Sequence, residues 1–363
     1  MFPVKKHYTA QSTQPEVSDK LNRYTFLEKS SAQLDEHYKK SKLIHEVSIP
    51  EEYNGVFSVR FNNEGDKLLA SYGNGLIDVL DIDCSEFNYV IKDQSSSDNL
   101  PIMAVRCVPG EDETFFAAGI SGNIYYCKFE QGNCRKFCEE KLNEINSIDI
   151  DISGTTLVSG GKDARLRLYD LRVGKIKAKY YKPNREPEDN SATNFHALRV
   201  FCVKYHSSEE NIFLSGGRDD VLKIWDVRIR NGCVRNIPGP RICGEALDVR
   251  DKRILTGSWT VNNSLQLWDM SSGKLIENIN PINRIQTLDG EFLYCCQFYK
   301  DGKHDYILAG GSGTSHFEII SLKELKIVSS YRVHKAIQTI DSNMNSTIAF
   351  GGMDPCINVL NVL

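Results

Sequence analysis

The stretch Asn211 to Arg228, NIFLSGGRDDVLKIWDVR, decides the fold. An aliphatic run, Ile212 to Leu214, leads into three small residues, Ser215, Gly216 and Gly217. Asp219 and Asp220 then make a turn, and Val221 to Trp225 alternate before Asp226 ends the unit. Side-chain period two on both sides of a tight turn reads as strand, turn, strand. The same pattern returns as LVSGGKDARLRLYDLR from Leu157 to Arg172, and as ILTGSWTVNNSLQLWDM from Ile254 to Met270. An internal repeat with these landmarks specifies a radial array of four-stranded sheets rather than one sandwich.

These repeats resemble the WD-repeat β-propeller family. Seven strand-rich units align on the end of their third strand, at Asp81, Lys128, Asp170, Asp226, Asp269, Ser321 and Asn361. The gaps are 47, 42, 56, 43, 52 and 40 residues, centred on the repeat length of one blade. The excess in the long gaps falls in Lys182 to Asn194 and around Pro281 to Glu291, which are rich in Pro and Asn and read as loops. Only two residues follow Asn361, so the seventh unit lacks an outer strand, while Leu43 to Ile49 reads as a strand with no partner before it. The resemblance implies that such a strand joins the last blade and closes the ring, and the strand count agrees. The expected fold is all-β, a seven-bladed propeller over residues 41–363. Residues 1–40 form an N-terminal extension, a tail or partner-binding arm in which Ser30 or Ser31 caps a short helix over Ala32 to Tyr38.

The family's buried hydrogen-bond chain links a His, a Ser or Thr, an Asp and a Trp. Carried over residue by residue, it implies His196, Ser215, Asp219 and Trp225 in blade four. Blade three offers Ser159, Asp163 and Tyr169 with no His in place, and blade seven offers His334 and Asp354 with Leu360 in the Trp position. A His–Ser–Asp set invites comparison with a hydrolase triad, but Ser215 lies within a strand and not on an exposed elbow. SGGKD at Ser159 and SSGKL at Ser271 lack the spacing of a phosphate loop, and GGSGTSH at Gly310 lies between two strands as a turn. Cys127, Cys134 and Cys138 lack the paired spacing and His ligands of a zinc site. No catalytic residue, cofactor or metal is expected, and the chain is not read as an enzyme.

The net charge of −4, with 25% charged residues, selects neither nucleic acid nor an anionic membrane as a partner. Eleven cysteines set mostly in apolar runs read as reduced, buried thiols. The N-terminus has no apolar signal core, and no stretch is long enough to span a bilayer as a helix. The expected location is cytoplasm or nucleus.

Three features carry partner expectations. Asp170-Leu-Arg172 and Asp226-Val-Arg228 place an Arg two residues beyond the third strand on consecutive blades. The resemblance connects such endings with substrate receptors of cullin-RING ubiquitin ligases. Secondly, alternation puts Lys175, Lys177 and Lys179 on one face of an outer strand. That stripe suits an acidic protein tail, or serves only to keep an edge strand unpaired. Nucleic acid is disfavoured, because only Tyr180 and Tyr181 are present for stacking. Thirdly, PGPRICGEALDV from Pro238 to Val249 resembles a phrase in WD-repeat proteins of ciliated organisms. The function expected is a non-catalytic scaffold for a multiprotein complex, ciliary or cytoskeletal, with the ligase receptor as the alternative.

Overall fold

The computed structural model describes residues 41–82, 87–91, 99–129, 134–181, 194–229, 232–284 and 290–363, with only the backbone of 87–91. The extension over residues 1–40, its expected helix and the Pro-rich loop at 182–193 lie outside the described residues. The chain makes seven four-stranded antiparallel sheets. The first six blades take their strands in chain order from Val56–Phe61, Ile102–Cys107, Ile145–Ile150, Val200–Tyr205, Leu247–Arg250 and Leu293–Phe298 outward. The seventh is built from Ile337–Ser342, Thr347–Gly352 and Cys356–Val362, and its outer strand comes from Ser41–Ser48.

Ring closure is therefore a pairing of the first described strand with the last. Ser41 lies opposite Val362 and Ser48 opposite Cys356, and Ile49 N–H donates to Pro355 O at 2.8 Å. The strand begins two residues earlier than the sequence suggests. Closing the ring this way removes the open edges that a linear stack of blades would expose.

Each repeat motif has a packing reason. The second strands Thr156–Gly161, Ile212–Gly217 and Thr347–Gly352 are buried along their whole length, because a blade is covered on both faces by its neighbours. The small residues at their ends let the backbone entering the blade pass close by. A Cβ on Gly161 would sit 2.2 Å from Glu144 O, and one on Gly217 would sit 2.3 Å from Arg199 O. The core fills the gaps between blades; in one, Trp225 stacks on Phe213 at 5.9 Å beside Tyr180 and Tyr205.

One cysteine pair departs from the expectation of reduced thiols. Cys127 and Cys134 face each other across adjacent strands of blade two with Cα atoms 4.2 Å apart, and their sulfurs are bonded. Direct cross-strand pairing brings them together, which sequence separation alone does not reveal. Cys202, Cys295 and Cys296 are buried free thiols, and burial pushes the pKa of Cys202 up to about 12.

Candidate functional site

In blade four, Trp225 Nε1 donates to Ser215 Oγ at 2.7 Å. His196 Nε2 lies 2.6 Å from the same hydroxyl, and His196 Nδ1 lies 2.8 Å from Asp219 Oδ2. Burial lowers the His196 pKa. Burial alone would raise that of Asp219, but bonds from His196 and from the Ala197 N–H hold it below the usual range. A neutral imidazole and an ionised carboxylate assign one direction, with Trp225 donating to Ser215, Ser215 to His196, and His196 Nδ1–H to Asp219. All four residues are held by one another, and Ser215 is fully buried, so its hydroxyl does not face solvent.

Blade three replaces the missing His with Glu140, a residue the sequence reading passed over. Its carboxylate is fully buried and accepts from Ser159 Oγ, Tyr169 OH at 2.9 Å, Arg167 Nη1 at 2.8 Å and Asn143 Nδ2 at 2.6 Å. Arg167 continues to Asp163. Burial, then the Glu140 charge, raises the Tyr169 pKa. Only position signals the exchange: Glu140 stands as far before Ser159 as His196 stands before Ser215.

Blade seven corrects the expectation for His334. Its imidazole is exposed, and only its backbone N–H reaches Asp354 Oδ2, at 2.8 Å. Phe350 stands where the Ser would be, stacked on Phe317 at 4.4 Å, and Leu360 stands in the Trp position. Neither offers a hydrogen bond, so a buried imidazole would be unsatisfied.

A second network lines the centre of the ring. One position of each inner strand carries Arg60, Arg106, Asp149, Lys204, Asp248, Gln297 and Asp341 in blade order. The three aspartates, in alternate blades, each accept a backbone N–H from the next blade. Asp149 accepts from Tyr205 at 2.7 Å, Asp248 from Phe298 at 2.9 Å and Asp341 from Phe61 at 2.9 Å. Glu245, on the connection entering blade five, reaches across the channel. It takes Arg60 Nη2 at 2.6 Å, Arg106 Nη2 at 2.8 Å and Thr339 Oγ1 at 3.1 Å, and so ties blade five to blades one, two and seven. Burial opposes its ionisation, but Arg60 and Arg106 hold its pKa below the usual range. Asp341 is likewise lowered against the cost of burial, chiefly by Lys300 at 2.6 Å and by Arg60. The belt ties blades together and offers no open coordination sphere. Among the described residues no group of three His, Cys, Asp or Glu is arranged to hold a metal.

The partner candidates stand differently from one another. Arg172 is exposed, and its backbone N–H bonds Asp170. Arg228 is exposed too, but its fork is closed on Asp226 by two bonds of 2.8 and 2.6 Å. Lys175, Lys177 and Lys179 are exposed on the outer strand Lys175–Tyr180, but they do not form a stripe. Asp170 faces Lys175 and Arg167 faces Lys179, with a bulge between Leu168 and Tyr169. Asp170 and Arg167 are three apart on a regular strand, so Lys175 and Lys179 point to opposite faces.

A family model described as WD domain, G-beta repeat matches residues 132–170 and 191–226. The chain is 26% identical over 164 residues to Mitochondrial division protein 1 of Eremothecium gossypii, covering 42% of this chain and 20% of that protein. It is 28% identical over 166 residues to Autophagy-related protein 16 of Arabidopsis thaliana, covering 44% of this chain and 28% of that protein. With Methylosome protein WDR77 of Xenopus laevis it shares 30% identity over 94 residues, 26% of this chain and 24% of that protein. The matched segments span between a fifth and three tenths of the length of these relatives.

Proposed function

We propose that this chain, which carries WD40 repeats closed into a seven-bladed propeller, works as a non-catalytic scaffold that holds a multiprotein complex together. The observation that carries the reading is the belt around Glu245, which commits the polar groups of the ring interior to the ring itself. What remains for partners is the outside of a rigid disc. Relatives with names such as Methylosome protein WDR77 support a role in assemblies. Placement in a ciliary or cytoskeletal assembly, reached from cytoplasm or nucleus, is supported by the phrase from Pro238 to Val249 alone. The test is affinity purification of the full chain from its own cells, beside a form lacking residues 1–40. A stable set of partners supports the scaffold, and loss of that set with the shorter form assigns the anchor to the extension. Recovery of the full chain without stoichiometric partners refutes the scaffold.

The exposed Arg172 favours a second reading, a receptor of a cullin-RING ligase docking through its blade ends. Arg172→Ala with Arg228→Ala then removes the adaptor from the purified complex at unchanged melting temperature. Unchanged adaptor recovery excludes it.

A further inference from the structure

The turns between second and third strands contain one hydrogen bond repeated seven times, and the side chains flanking it reveal an asymmetric face. Just after each second strand, a backbone N–H donates to the connection entering that blade. The pairs in blade order are Gly73 to Gly55, Ile120 to Pro101, Lys162 to Glu144, Arg218 to Arg199, Trp259 to Arg241, Ser312 to Phe292 and Met353 to Ala336. In four blades neither residue is charged. In blades three to five the same positions hold Lys162, Arg199, Arg218 and Arg241 against the single carboxylate of Glu144.

The surroundings extend the imbalance. Lys141 is exposed beside Glu140, and Asp220 takes the fork of Arg241 at 2.7 and 2.8 Å. Asp219 turns inward to His196, while Arg165 and Arg167 answer Asp163 and buried Glu140. With the exposed pair of Lys136 and Glu139 included, whose carboxylate also attracts Lys141, six cations among the described residues stand against three outward carboxylates, Glu139, Glu144 and Asp220, in a chain of net charge −4. Glu144 is divided between Lys162 and Arg199, so neither cation has a carboxylate of its own. Among these cations lie two uncovered aliphatics. Leu142 sits in a left-handed turn at φ 62° and is fully exposed, and Leu198, on the next connection, is 52% exposed. A leucine in that backbone region is disfavoured, and here no packing repays it.

We infer that this sector, on the turn face of blades three to five, binds an acidic peptide segment of a partner protein that carries an aliphatic or aromatic anchor. Carboxylates are the ligand class that arginine forks take two bonds at a time, and Leu142 and Leu198 provide the contact for the anchor. The surplus of positive charge supplies the complementarity. This moves the acidic-partner surface from the outer-strand lysines to the turns, and it rests on the scaffold reading above.

The experiment uses the full chain and short synthetic peptides in three classes: Glu- and Asp-rich with one Leu or Phe, the same with Gln for the acids, and the same with Lys. The acidic class is retained preferentially, and its binding weakens as salt rises. Lys162→Glu with Arg218→Glu weakens it about tenfold or more, and Leu142→Ser weakens it separately. If the double reversal melts below wild type, Lys162→Ala with Arg218→Gln replaces it. Equal retention of the three classes, or undiminished binding by well-folded variants, overturns the inference. Partners that still co-purify with such variants overturn it too, while leaving the scaffold standing. Absence of partners for wild type refutes the scaffold instead, and the peptide classes still decide the sector.

Discussion

Replacing Glu245 by Gln removes one charge from the middle of the channel and leaves two guanidinium groups that it had neutralised. Arg60 and Arg106 are 13% and 7% exposed, and Glu245 is 9% exposed, so water replaces little of what is lost. Breaking a buried pair costs about 3–5 kcal/mol when one partner is stranded. The lower end applies here. Arg106 keeps Asp149 at 3.1 Å, and Arg60 keeps the carbonyls of Val59 and Ile340 at 2.6 and 3.0 Å. With an unfolding entropy of about 2.1 cal/mol/K per residue over this propeller, a loss of about 3 kcal/mol lowers Tm by about 4–5 °C. Thermal melting followed by circular dichroism reads the shift. Glu139→Gln, which removes an exposed carboxylate paired with Lys136, is the control and stays at the wild-type Tm. Adding Arg60→Leu to Glu245→Leu recovers part of the loss, because one of the two stranded cations is gone. A Glu245→Gln protein melting with wild type would falsify the view that this carboxylate holds the ring.

Acid offers an independent check. The Glu245 and Asp341 carboxylates are depressed in the folded state, so the stability they contribute is present above the ordinary carboxylate range and is lost as pH falls through their lowered values. Melting temperature measured downward from neutral pH drops less steeply for Glu245→Gln than for wild type; equal slopes exclude the linkage. Trp225→Phe keeps the aromatic volume but removes the N–H to Ser215, and about 1–2 kcal/mol of unfolding free energy disappears in a urea titration. Gly161→Ala forces a Cβ to 2.2 Å from Glu144 O and destabilises the entry to blade three, whereas Gly302→Ala meets nothing within 4 Å and costs only its positive φ; equal losses would show that close approach is not what the glycine serves. Deleting residues 1–40 keeps the cooperative melt. A deletion through Ile49 takes away the outer strand of blade seven and broadens or lowers the transition; an unchanged melt means that Ser41–Ser48 does not close the ring.

What the amino-acid sequence determined by itself is the local, repeated part of the molecule. Alternation around Ser215-Gly-Gly and the spacing of seven third-strand ends, from Asp81 to Asn361, state the blade count, because strand periodicity and turn chemistry act over a few residues. The unpaired strand near the start and the missing strand near the end name each other for the same reason. Only the tertiary structure decided which side chains meet. Glu245 and Arg60 are 185 residues apart, and nothing in either segment points to the other. Glu140 stands in for a histidine because the fold brings Ser159, Tyr169 and Arg167 to it from two other strands. A single bulge beside Tyr169 cancels a lysine stripe that strict alternation would have drawn. The charged sector of blades three to five likewise exists only once the ring sets its connections side by side. Periodicity specifies which residues share a strand face, whereas closure of the ring sets which faces, and which charges, lie next to one another.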